Sequence, residues 1–147
     1  MPELFPVLPT PDPLAIYPAF ALAIARQESR FDVQARSRAN ARGLMQLLPA
    51  TAKNTARKHD ITYNLAKLYQ PRYNMLLGSH YMAGLLSRFD GAYILSIAGY
   101  NAGPGRSDQW QKRFGTLSRD YQRNIQWMEM IPFTETRNYV QRVLENY

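Results

Sequence analysis

A chain of 147 residues has the length of a single domain with a real core, and 46% apolar with 20% charged residues is ordinary globular usage that disfavours disorder. The absence of cysteine excludes disulfide scaffolds, thiolate nucleophiles and cysteine-bound zinc. A formal charge of +7 favours anionic partners, and nucleic acid, anionic lipid and acidic cell-wall polymer all qualify, as does a merely solubilising surface.

The segment from Pro2 to Pro13 is Pro-rich and reads as an extended arm or linker tail over residues 1–17, with one domain over 18–147. The longest apolar stretch, Leu14 to Ala25, is shorter than the roughly 20 residues of a membrane span, so no transmembrane segment is expected. Glu3 and Asp12 precede it without any Lys or Arg, which argues against a signal peptide, and Met1 reads as the start of an internal domain or trimmed chain. Helices are predicted over Pro18–Ser29, Pro49–Lys58, Pro71–Phe89, Ala92–Tyr100, Arg106–Lys112, Asp120–Met130 and Glu135–Asn146. Three open on proline at the first helical position, where the missing N–H costs nothing. The breaks carry turn chemistry: Asp90-Gly91, Asn101-Ala102-Gly103-Pro104-Gly105 and Ile131-Pro132. With no alternating apolar run bounded by turns, the fold class is all-α. In the last helix Tyr139, Val140, Val143, Leu144 and Tyr147 form one apolar stripe, read as core packing.

One residue breaks the pattern. In the first helix Ala21, Ile24 and Ala25 share a face, and Glu28 falls in the middle of that same stripe, while Arg26, Gln27 and Arg30 point away. A carboxylate on an apolar face is either a frayed helix end reaching water or a distant Arg, or an acid kept protonated for chemistry. Glycoside cleavage needs the second kind: a glutamate starting near about 4.3 must rise by roughly two units, about 2.7 kcal/mol, to hold its proton near neutral pH. A helix C-terminus contributes only about 0.3–1 kcal/mol of this, so desolvation must supply the rest.

Ala25-Arg26-Gln27-Glu28-Ser29-Arg30-Phe31, then Ser37, then Gly43-Leu44-Met45-Gln46-Leu47-Leu48-Pro49-Ala50-Thr51-Ala52 resemble the first two signature blocks of the soluble lytic transglycosylase family. Gly99-Tyr100-Asn101-Ala102-Gly103-Pro104-Gly105-Arg106 with Trp110 resembles the third, and Ile131-Pro132-Phe133-Thr134-Glu135-Thr136-Arg137-Asn138-Tyr139-Val140 the fourth. The resemblance runs from about Ala19 to the C-terminus, and the order of the blocks makes it specific. It implies a lysozyme-like helical domain with a glycan-binding groove, acting on peptidoglycan strands in the bacterial periplasm or cell envelope. Glu28 matches the family's single catalytic acid, and Ser37, Met45, Gln46, Tyr100, Asn101, Glu135 and Tyr139 match groove positions; Met45 and Tyr100 are equally at home in a core. The implied reaction breaks the bond between N-acetylmuramic acid and N-acetylglucosamine and leaves a 1,6-anhydromuramoyl end, with no cofactor and no metal. Further domains of a longer parent chain are expected.

The chain departs from the family pattern at Asn40, where Gly is common, at Gly99, where Ala is common, and at Ser107, where Val is common; Thr116 to Arg123 aligns with nothing. Asn tolerates positive φ well, so Asn40 is expected to keep the turn. The rival enzyme is a goose-type hydrolytic lysozyme, and the rival from another class is a non-catalytic glycan-binding module. A nucleic-acid binder rests on charge alone, without a recognition motif, and no nucleic-acid partner is expected. His59 and His80 lack partners at ligand spacing, and Gly103-Pro104-Gly105 lacks the strand and the Lys-Ser/Thr of a phosphate loop.

Overall fold

The computed structural model describes residues 14–115 and 121–147, and among these the secondary structure is helical apart from two isolated bridges, Arg36 with Arg42 and Arg42 with Leu47. The helices are α1 (Pro18–Ser29), α2 (Pro49–Lys58), α3 (Pro71–Arg88), α4 (Tyr93–Ala102), α5 (Pro104–Phe114), α6 (Tyr121–Glu129) and α7 (Thr134–Asn146). A short 3-10 turn, Ala66–Tyr69, precedes α3. The all-α expectation holds, and the bounds of α1 and α2 coincide with those read from the sequence.

The differences lie where local chemistry was read too cautiously. Pro104, assigned to a turn, opens α5, so that helix is longer at both ends than expected. α4 runs on through Ala102 because Gly103, at φ 95°, is the residue that ends it. The 3-10 turn is too short to carry a periodic signal. The proposed start of α6 at Asp120, the Pro-rich segment up to Pro13 and residues 116–120 of the stretch that aligns with nothing lie outside the described residues.

Two compact units divide the chain between Tyr81 and Met82, with Tyr147 grouping with the first. In the first, α1 buries Phe20, Ala21, Ala23, Ile24 and Ala25, and α2 buries Ala52, Thr55 and Ala56 at helical spacing. Leu44, Met45, Leu68, Met75 and Leu77 complete this core, and Tyr147 stacks on Phe20 with ring centroids 5.1 Å apart. His59, just past α2, stacks on His80 of α3 at 3.9 Å. In the second unit α4 packs on α5 and α7, and α6 packs on α7. The apolar stripe of α7 is buried at Tyr139, Val140 and Val143. Trp127 sets its ring edge-on to Phe114 and donates from Nε1 to the Gly115 carbonyl at 3.0 Å.

Candidate active site

The first unit presents Glu28 one residue before the end of α1. Ala21, Ile24 and Ala25 on the same stripe have no exposed surface, and Glu28 itself is half-buried. The helix stops there because Arg30 and Phe31 both adopt left-handed backbone, φ 52° and 64°, while the Arg30 N–H closes on the Arg26 carbonyl at 3.0 Å. Such conformations in non-glycine residues cost about 1–3 kcal/mol each and persist where the surroundings enforce them.

The loop that follows is held by its own backbone and short polar side chains. Ser37 donates its N–H to the Ala41 carbonyl at 2.9 Å and accepts the Ala41 N–H on Oγ at 3.0 Å. Asn40 between them takes φ 69°, the conformation expected for the residue replacing Gly, and its Oδ1 accepts from the Arg36 guanidinium at 2.9 Å. Arg42 and Leu47 exchange N–H···O bonds of 2.9 and 3.1 Å, closing a tight turn over Gly43 to Gln46. Gln46, also left-handed at φ 51°, donates from Nε2 to the carbonyls of Ala35 and Gly43 at 3.1 and 3.0 Å. The Arg42 guanidinium lies 6.0 Å from the centre of the Tyr69 ring. Burial, followed by the neighbouring Tyr73, holds the Tyr63 hydroxyl above its ordinary pKa, with Arg42 opposing.

Met45, expected on a groove wall, has no exposed surface and packs against α3 at Gly78. A Cβ at Gly78 would meet its sulfur at 2.4 Å, so glycine makes room for it.

In the second unit Tyr100 and Asn101 lie half-buried near the end of α4. Asn101 Oδ1 accepts from the Thr136 hydroxyl at 2.7 Å, tying α4 to the first turn of α7. Glu135 in that turn is exposed, where its charge suits the helix N-terminus. Tyr139 is only 5% exposed and belongs to the core of this unit. The structure thus keeps Ser37 and Gln46 in the loop after Glu28, groups Tyr100, Asn101 and Glu135 on adjoining helix ends, and places Met45 and Tyr139 in packed interiors. The side chains of Ser29 and Asn74, which grip the loop's backbone, were passed over in the sequence, since neither type stands out within a helix. Gly99 and Ser107, two departures from the family pattern, are neighbours: a Cβ on Gly99 would lie 3.4 Å from Ser107 Oγ, which donates to the Leu95 carbonyl at 2.8 Å. Among the described residues no group of three or more His, Asp or Glu side chains is placed to hold a metal ion.

The all-helical architecture, with a half-buried glutamate near the end of its first helix, is that of an all-α domain and agrees with the lysozyme-like expectation. Residues 13–122 match the family described as the Transglycosylase SLT domain. The chain belongs to this family. It is 45% identical over 133 residues to a Haemophilus influenzae protein named as a soluble lytic murein transglycosylase, covering 89% of this chain and 22% of that one. The inactive mutant of the lytic transglycosylase Slt from Pseudomonas aeruginosa superposes with a TM-score of 0.79 at 45% identity, over 87% of this chain and 20% of that one. The 70-kDa soluble lytic transglycosylase of Escherichia coli gives a TM-score of 0.81 at 36% identity, over 89% and 21%. The chain therefore spans about a fifth of the length of these relatives.

Proposed function

We propose that this domain is a peptidoglycan lytic transglycosylase that cleaves the β-1,4 bond between N-acetylmuramic acid and N-acetylglucosamine, with Glu28 as its single acid and base. The reading is carried by the position of Glu28: a half-buried carboxyl ending a helix face whose other members are fully buried, inside a chain that matches the transglycosylase family. The Pseudomonas relative supplies further support, since its inactive form is a glutamate-to-glutamine mutant.

In this mechanism the Glu28 carboxyl gives its proton to the glycosidic oxygen as the bond to C1 of the muramoyl sugar breaks. The resulting carboxylate takes the proton of the same sugar's C6 hydroxyl, whose oxygen bonds to C1. The product is a 1,6-anhydromuramoyl end and a free N-acetylglucosamine hydroxyl; no water is consumed, and Glu28 ends protonated. The attacking oxygen belongs to the substrate, so positioning rather than nucleophile activation supplies much of the acceleration. In the first unit Ser37 and Gln46, and in the second Tyr100, Asn101 and Glu135, are the candidate glycan contacts, while Met45 and Tyr139 each lie buried within their own unit. The domain acts within a longer parent chain in the bacterial envelope, at the periplasmic cell wall.

Digestion of purified sacculi followed by mass spectrometry tests this. The expected products are anhydromuropeptides, each lighter by one water than its hydrolytic counterpart. Glu28→Gln is expected to lower turnover by about 1,000-fold or more. Reducing-end products would identify a hydrolase instead, and a Glu28→Gln domain as active as its parent would remove Glu28 from the chemistry.

A further inference from the structure

Asn74 lies in the first turn of α3 with no exposed surface. Burying an amide costs free energy unless its polar atoms are met, and here they are met entirely by backbone groups. Nδ2 donates to the carbonyls of Arg42 and Leu68, each at 2.9 Å, and Oδ1 accepts the N–H of Met45 at 2.8 Å. Two acceptors on one side and a donor on the other leave a single orientation for the amide. Gly43 permits the approach, because a Cβ there would come within 2.4 Å of Asn74 Nδ2 and 2.2 Å of the Leu68 carbonyl.

The consequence lies in the peptide unit joining Leu44 to Met45, which is held at both poles. Its N–H goes to Asn74, and its carbonyl accepts from Ser29 Oγ at 2.8 Å. The single Ser29 hydroxyl proton is shared with the Ala25 carbonyl at 3.0 Å, one turn back in α1. Ser29 directly follows Glu28. An unbroken series of hydrogen bonds therefore runs from α3 through one peptide plane to the end of α1, across a segment whose flanks carry left-handed backbone at Arg30, Phe31 and Gln46.

We infer that Asn74 is a positioning residue for Glu28: by fixing the Leu44–Met45 peptide it presents a rigid acceptor to Ser29 and so sets the end of α1 that bears the acid. The inference rests on the reading of Glu28 as the acid and base. Asn74 itself touches no substrate.

The test combines turnover of soluble glycan chains prepared from sacculi with amide hydrogen exchange at Met45. Ser29→Ala, a mild change, is expected to lower kcat by about 10- to 100-fold, with KM within about twofold of the parent and the acid limb of the kcat–pH profile displaced. Ser29→Thr, which keeps the hydroxyl, is expected to restore kcat and the profile. Asn74→Ala is expected to lower kcat and release the Met45 amide to exchange. With Ser29→Ala it is expected to cost less than the product of the two separate losses, because both act through one peptide. A Ser29→Ala domain with the parent's kcat and pH profile overturns the inference, as do fully multiplicative losses. If Asn74→Ala does not fold, the Ser29→Ala and Ser29→Thr pair decides. If the parent releases no anhydromuropeptide, the proposed function fails instead; an unchanged Met45 exchange rate in Ser29→Ala then shows separately that the two ends of the peptide are not coupled, and a faster rate that they are.

Discussion

Among the described residues, Arg30, Phe31, Asn40 and Gln46 are non-glycine residues with left-handed backbone that all fall between α1 and α2, the segment that follows Glu28. Asn40 is suited to that conformation; an arginine, a phenylalanine and a glutamine are not. Strain of this kind is a cost carried where geometry matters more than stability. Arg30 offers the cleanest measurement because it is exposed and caps α1. Arg30→Gly relieves about 1 kcal/mol of backbone strain, and it removes a cation near a helix C-terminus worth about 0.3 kcal/mol at an exposed site. Relief exceeds loss, so the variant is expected to be more stable by about 0.5 kcal/mol, with the gain growing at high salt as the dipole effect is screened. Thermal unfolding at low and high salt checks this, and a lower midpoint in both would show that Arg30 is not strained.

At the scale of elements, the contact between the end of α2 and α3 makes stability depend on pH. Burial first, and then the stacked His59, hold the His80 pKa below its ordinary 6.5. Between that lowered value and 6.5 the unfolded chain binds more protons than the folded one, so stability rises with pH across this window and is lost on acidification below 6.5. Replacing His80 by Gln is expected to flatten the slope of the thermal midpoint between about pH 7 and pH 5, leaving the carboxylate-driven loss at lower pH. In α4, Gly99→Ala is expected to stabilise by about 0.5–1 kcal/mol, raising the midpoint by about 1–4 °C. The neighbours of the new methyl, at 3.4–3.6 Å, are at ordinary contact distance, so helix propensity decides the sign. These elements were legible to different degrees for physical reasons. α1 and α2 were fixed by an opening proline and a period of 3.6, both local properties. Asn40 was legible because its residue type matches its dihedral, whereas the left-handed turns at Phe31 and Gln46 oppose their residue types, and that of Gln46 is held by its side-chain bonds to the Ala35 and Gly43 carbonyls. Asn74 looked like any polar helical residue; only the approach of the Arg42–Gln46 turn to α3 makes it a buried hub. Glu28 was visible because its half-burial follows from the periodicity of one helix, as does the interior place of Tyr139 on the stripe of α7, whereas Met45 lies in a turn without a period to place it and is fully buried.

At the scale of the whole molecule, the charge of +7 is the property that composition gave without assigning it a use. Most Lys and Arg side chains among the described residues are exposed, and the ion pair of Arg88 with Asp108 is itself at the surface, where such pairs contribute little to stability. An exposed positive surface acts instead through association, raising the local concentration of an anionic polymer over a range set by salt. Peptidoglycan, with its stem-peptide and lactyl carboxylates, is such a polymer, and under the proposed function a domain acting on an insoluble sheet would gain from being held near it. The attraction falls as the screening length shrinks from about 10 Å at 0.1 M salt to about 3 Å at 1 M, whereas stacking and hydrogen bonds to sugars are much less sensitive. Glu28→Gln separates binding from cleavage. Its co-sedimentation with sacculi is expected to weaken severalfold between about 0.05 M and 0.5 M sodium chloride, and acetylating the free amines of the sacculi, which raises their negative charge, is expected to strengthen it at low salt. Binding that stays constant over that salt range would mean that recognition rests on neutral sugar contacts and that the basic surface serves solubility alone.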